Sequence, residues 1–346
     1  MGVDLEKLSD EEILELRIGD LPIAIERGWL EECVRALYQE LDEKGIGFKP
    51  VCYLADEWLT PDKEPVIGIP FYLADPSLIK LERKMMLEVE GGTTQWCMQL
   101  LRHETGHAIN YAYKMYRRKK WQEIFGNISV EYDETYRFRP YSKSFVQHLA
   151  DHYAQCHPEE DFSETFSVWL TPNYDWREKY KGWKALTKLE CVDELMSSLK
   201  DKEPLVAKGK KYWEARKMRT TLKNYYKKKR RHYAENFPDF HDVQLEKMFE
   251  QLHTSEYSDY SGKKRREIPF AAELLRRYRK QIVQSVALCT GERKYGIDEL
   301  VKKITERCKA LKLVLVGTES VAVLKVSTYI TTLILNSMYT GKYRGA

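Results

Sequence analysis

The chain has 346 residues, of which 43% are hydrophobic and 12% aromatic, enough apolar material for two or three packed domains and too much for a disordered chain. Its 57 basic and 53 acidic residues leave a net charge of only +4, so the chain as a whole does not declare a nucleic-acid partner. The seven cysteines are odd in number, scattered and never in C-x-x-C spacing, which fits a reducing compartment with free, mostly buried thiols.

The N-terminus, Met1 to Glu6, has no basic region followed by an apolar one. No segment offers about 20 uninterrupted apolar residues. The nearest, Leu311 to Met338, is broken by Lys312, Gly317, Glu319 and Lys325. These features predict a soluble, cytoplasmic protein with no membrane partner.

Residues 9 to 44 read as mainly helical, with Ser9-Asp10-Glu11-Glu12 as a start signal, a break near Pro22, and Leu30, Cys33, Val34 and Leu37 on one stripe. Val51 to Ala55 and Val66 through Leu73 read as strands. Pro65 and Pro70 mark the second as an edge strand, which an extended peptide can pair with or which the prolines merely protect from aggregation.

A helix follows from Thr93 to Tyr113, and its centre is His103-Glu104-Thr105-Gly106-His107. Residues i and i+4 lie on one helix face, so His103 and His107 can turn imidazole nitrogens toward one metal ion. Glu104 is placed to act as general base on a water at an open position of that metal. Gly106 permits close approach of another segment on the metal side. The same five residues also fit a buried helix with two hydrogen-bonded histidines, so the assignment needs a third ligand downstream.

After this helix, the irregular stretch Tyr132 to Lys143 is rich in aromatic and cationic side chains, and Arg137 or Arg139 is a candidate grip on a substrate carboxylate. Ser144 to Cys156 reads as a helix with His148, His152 and Cys156 at i, i+4 and i+8. The next helix starts at Pro158 with Glu159, Glu160 and Asp161 in its first turn. Phe162, Phe166 and Trp169 share its core side, while Glu160 and Glu164 sit at i and i+4 on roughly the opposite side. Two carboxylates there repel unless a cation intervenes. Zinc bound by Glu160, with Glu164 accepting from the far nitrogen of a ligating histidine, removes the conflict. A solvated acidic turn and His152 as third ligand are the alternatives.

HETGH combined with E-D-F-S-E-T-F resembles the gluzincin metallopeptidases, whose zinc is held by two histidines and a later glutamate followed by an acidic partner. The catalytic domain of anthrax lethal factor is similar in having a tyrosine seven residues before that glutamate, the position of Tyr153. That resemblance implies that Tyr153 stabilises the tetrahedral intermediate. The runs HETGHAINYAY, FVQHLADHYAQCHPEEDFSETFSVWLTP and WREKYKGWKALTKLECVDELM resemble the bacterial family described as putative zinc-binding metallopeptidases, over roughly residues 45 to 200. The resemblance implies Zn2+ on His103, His107 and Glu160, and a peptide or protein substrate.

Beyond residue 200 the composition shifts. Lys208 to Arg231 carries a single acid, Glu214, with Tyr212, Trp213, Tyr225 and Tyr226 among its cations, a pattern that can follow a phosphate backbone but more often forms a solvated face. Residues 233 to 265 read as a loop-rich connection. Leu274, Leu275, Tyr278, Ile282 and Val286 form the stripe of one helix, Ile297 to Leu311 is a second, and Leu313 to Val316 a strand. The expected fold is α+β: a zincin-like domain over 1–202, with a small edge sheet and active-site helices, and a basic, mainly helical region over 203–346. The competing reading is a binding protein on a zincin scaffold whose basic region recruits nucleic acid or a protein.

Overall fold

The computed structural model describes residues 3–26, 28–132, 138–139, 141–200, 202–234, 241–251 and 269–340. It divides into two units, residues 1–85 with 89–226, and residues 227–346 with 86–88.

In the first unit Ser9 caps helix α1 (Asp10–Glu15) through a reciprocal capping box with Glu12. Helix α2 (Trp29–Glu43) buries Leu30, Cys33, Leu37 and Leu41. The turn at Ile18–Asp20 and the extended residues around Pro22 separate the two helices. Strands β1 (Val51–Ala55) and β2 (Val66–Pro70) pair in parallel, with Val51 opposite Val66. Helix α3 (Pro76–Met86) leads to the long helix α4 (Thr94–Ala112), which Thr93 caps by accepting from the Trp96 amide at 3.3 Å. Then come α5 (Lys119–Phe125), α6 (Pro158–Leu170), α7 (Trp176–Lys179) and α8 (Ala185–Ser197).

The core of this unit is α4 packed on α6, with α2 and α8 behind. Helix α6 is buried on every side from Glu159 to Leu170, because Phe162 meets Trp121 and Phe125 while Glu160 and Glu164 turn toward α4. The close packing depends on Gly106: a β-carbon there would lie 2.7 Å from the Ser163 α-carbon. Arg102 fixes α4 to α2 through a two-pronged pair with Glu40 (2.8 and 2.6 Å), both side chains 11% exposed.

Three expectations need correction. Strand β2 is not open to a peptide. All five of its residues are buried, one edge is taken by β1, and Leu59 returns to exchange two hydrogen bonds with Gly68 on the other. Ser144–Cys156 is not an α-helix: only Ala150–Gln155 winds, as a 3-10 turn, and His152 adopts φ 55°, which breaks the i, i+4, i+8 alignment. The boundary at 202–203 also moves, because residues 203–226 pack on the first unit. Gly19 donates to the Met218 carbonyl, Ile18 to Thr220, and Leu222 to Leu16, while the Tyr53 hydroxyl donates to the Tyr212 carbonyl at 3.0 Å. Ala215, Leu222 and Tyr226 are buried there.

The second unit takes the end of α9 (Leu222–Ala234), then α10 (Asp242–Met248), α11 (Ala271–Thr290), α12 (Lys294–Ala310) and α13 (Glu319–Thr340). A two-residue antiparallel pair, β3 (Glu250–Gln251) with β4 (Leu313–Val314), closes it. Its core gathers Leu275, Ile282, Val286, Leu300, Ile304, Val326 and Ile330. Glu319 and Lys325 do not interrupt α13, which is continuous, and by length and composition its stretch Glu319–Met338 is apolar enough to cross a membrane. Ala322, Val326, Ile330 and Ile334 on this helix face the unit's own core. Most of the connection expected over 233–265 lies outside the described residues. The structure is an α+β, zincin-like arrangement followed by a helical C-terminal region.

Candidate metal centre

Helix α4 presents His103 and His107 one turn apart, and α6 brings Glu160 against them. The three atoms His103 Nε2, His107 Nε2 and Glu160 Oε2 form a nearly equilateral triangle with sides of 3.2, 3.1 and 3.2 Å. Tetrahedral zinc with bonds of about 2.0–2.1 Å requires ligand atoms about 3.3 Å apart. The triangle therefore fits zinc with three protein ligands. All three residues are buried, and among the described residues they are the group of histidine and carboxylate atoms close enough to hold a metal.

The surroundings orient His103 and Glu160. His103 Nδ1 faces Glu164 Oε1 at 2.8 Å, and the other Glu164 oxygen accepts the Leu149 amide, also at 2.8 Å. A carboxylate at Nδ1 fixes the proton there and leaves the Nε2 lone pair for the metal. Glu160 Oε2 faces the imidazoles, while Oε1 accepts from the Tyr132 hydroxyl at 3.0 Å.

The electrostatics favour a cation. Burial opposes charge on His103 and His107, yet their carboxylate neighbours outweigh it and hold both pKa values above the ordinary range. Burial likewise pushes Glu160 up, but the two imidazoles pull its carboxyl far below the ordinary value. A field that draws protons onto two imidazoles also draws a divalent cation among them. Glu104 differs: burial raises its pKa and prevails over the lowering influence of His103, His107 and Thr60. The Thr60 hydroxyl also donates to the Glu104 carbonyl at 3.0 Å, tying α4 to the segment that returns past β2.

The remaining candidates separate clearly. Tyr153 lies beside His103, with ring centroids 5.7 Å apart. His152 stacks on Phe138 at 4.9 Å and lies outside the ligand triangle. His148 Nε2 meets the Gln99 carbonyl at 3.0 Å. His157 caps α6: Nδ1 accepts from the Glu159 amide at 3.2 Å, and Nε2 donates to the Val130 carbonyl at 2.9 Å. Arg139 is exposed, and its backbone is held by the Gln155 side chain (2.8 and 3.1 Å). Arg137 lies outside the described residues.

Sequence reasoning missed Thr60, Leu149 and Tyr132. The aromatic content of the stretch from Tyr132 to Lys143 was the one available signal for the last. It also missed the pair of buried Asp161 with half-buried Lys188 (2.6 Å) at the acidic first turn of α6, where burial lifts the Asp161 carboxyl to about 7 despite the lysine.

No curated protein and no solved structure matches the chain. One family model does, over the segment that runs from the end of α2 to the start of α8 and contains every residue of the metal centre. Residues 42–185 match the family described as putative zinc-binding metallo-peptidase, and the His103, His107 and Glu160 triangle could hold the zinc that this description names.

Proposed function

We propose that the chain hydrolyses peptide bonds in a peptide or protein substrate, with His103, His107 and Glu160 as zinc ligands and Glu104 as general base. One observation carries this reading: the Glu104 side chain is buried within the field of both imidazoles and of Glu160, yet it stands outside the triangle of ligand atoms. A structural metal site has no need of such a group.

Held by His103, His107 and Glu160, zinc would supply Lewis acidity, polarising the scissile carbonyl and making the attacking water more acidic. Glu104 accepts the proton of that water on its carboxylate and delivers it to the departing amine nitrogen. Its raised pKa suits the first half of this exchange, since a carboxylate nearer neutrality is a stronger base and takes the proton of the water more readily. Glu164 holds the His103 ring in one tautomer and one orientation. Thr60 fixes the Glu104 backbone. Tyr153, beside His103, donates its hydroxyl to the developing oxyanion, a contribution of about 3 kcal/mol in comparable sites.

The test is Glu104→Gln, which keeps the shape of the side chain and removes its basicity. Zinc content should stay at one per chain while cleavage of a peptide library is lost. Full cleavage by zinc-loaded Glu104→Gln protein would exclude the mechanism.

A further inference from the structure

Glu160 has two carboxylate oxygens, and the structure gives each a different task. Oε2 faces the two imidazole nitrogens at 3.1 and 3.2 Å, while Oε1 lies 3.0 Å from the Tyr132 hydroxyl. The same hydroxyl is 3.2 Å from Glu159 Oε2, so it stands between adjacent buried carboxylates. A phenol has one proton to give, and of the two carboxylates the Glu160 oxygen lies nearer, at 3.0 against 3.2 Å.

Tyr132 is held for this purpose. Its ring stacks on His157 with centroids 3.8 Å apart and planes 14° from parallel. His157 is itself immobilised through both nitrogens, by the first turn of α6 and by Val130. The turn leading to Tyr132 is closed by the Val130 amide on the Asn127 carbonyl and by the Ser129 amide on the Asn127 side chain. The residue remains 48% exposed, so Tyr132 reaches Glu160 from the solvent side, with its ring laid on His157 and its hydroxyl turned inward.

We propose that Tyr132 is a positioning residue for the metal centre: by binding Oε1, its hydroxyl keeps Glu160 a one-oxygen ligand and presents Oε2 alone to the zinc. This rests on the reading of Glu160 as a ligand. Partners of this kind contribute about 10–100-fold to metal affinity in other zinc sites.

The decisive variant is Tyr132→Phe, which preserves the stacked ring and deletes the hydroxyl. Zinc affinity is measured by competition with a chromogenic chelator, and coordination by the visible absorption of the cobalt-substituted full-length protein. The expected result is a Kd for zinc raised about 10–100-fold, with weaker cobalt bands as the released Oε1 joins the coordination sphere. Unfolding of the zinc-free protein should not change. Zinc affinity within twofold of wild type and an unchanged cobalt spectrum would overturn the proposal. So would lost affinity with an unaltered cobalt spectrum and a matching loss of zinc-free stability, which marks a merely structural role. Glu160→Ala separates the two layers: retained zinc removes Glu160 as a ligand and the proposal with it, whereas lost zinc confines a negative Tyr132→Phe result to Tyr132 alone.

Discussion

Gly106→Ala tests whether the approach of α4 to α6 sets the metal centre. The new methyl group would lie 2.7 Å from the Ser163 α-carbon, 3.1 Å from its β-carbon and 3.2 Å from its carbonyl oxygen, whereas ordinary contact begins at 3.4 Å. The nearest neighbour is backbone and cannot swing aside, so the helices must separate by at least the difference, 3.4 − 2.7 = 0.7 Å. Overpacking of this kind costs about 1–3 kcal/mol. Alanine returns about 1 kcal/mol in helix propensity, leaving a net loss of up to about 2 kcal/mol. The larger consequence falls on the ligands, because His103 and His107 flank Gly106 on one helix and Glu160 precedes Ser163 by one turn on the other. A triangle with sides of 3.1 to 3.2 Å cannot absorb such a displacement on one side without losing its fit to zinc. Chelator competition should show at least a tenfold rise in Kd for zinc, about 1.4 kcal/mol, and urea unfolding a lower midpoint. A variant that is stabilised by about 1 kcal/mol, as propensity alone predicts, and binds zinc as tightly as wild type would refute this reasoning.

Glu104→Gln is expected to lower kcat/KM about 10²–10⁴-fold with zinc still bound, measured by cleavage assay beside elemental analysis. Glu164→Ala removes the partner of His103 Nδ1 and of the Leu149 amide, and should weaken zinc binding about 10–100-fold by the same chelator competition. His152→Ala, which alters only the stack on Phe138, should keep one zinc per chain in a preparation where Glu160→Ala has none. Deleting everything after Lys202 strips the first unit of Leu222 and Tyr226, both fully buried. At about 1.5–3 kcal/mol each that is a large share of a domain's stability, so the truncated chain should melt far lower or aggregate, while one ending at Ala234 should retain zinc.

The residues legible from sequence are those whose partners are set by helical spacing. His103 and His107 share a face because they are four apart, and Glu160 and Glu164 do so for the same reason, so each half of the centre shows in the sequence without the other. Gly106 is legible too, since a glycine in a buried helix demands an approaching neighbour. Tyr132 is not: it lies 28 residues before Glu160, outside any helix or strand, and the stacking on His157 brings its hydroxyl to the carboxylate. The false helix over Ser144–Cys156 shows the reverse error, where regular spacing of His148, His152 and Cys156 suggests a period that a left-handed residue at His152 breaks. The misplaced boundary comes from taking the basic run after residue 207 as a packing signal. Charge says which surface faces water, and the buried side of that run is carried by Ala215, Leu222 and Tyr226.

The pairing of residues 16–19 with residues 218–222 also sets a schedule for synthesis. The ligands His103, His107 and Glu160 all emerge from the ribosome before the strap that completes their unit. At about 5–20 residues per second, the 58 residues from Glu160 to Met218 take about 3–12 s. For that interval the nascent chain already holds the side chains of a zinc site while the amides of Ile18 and Gly19 still wait for their acceptors. Metal capture can therefore precede closure of the unit, and a pause in translation near residue 200 would prolong a state able to bind zinc but not yet sealed.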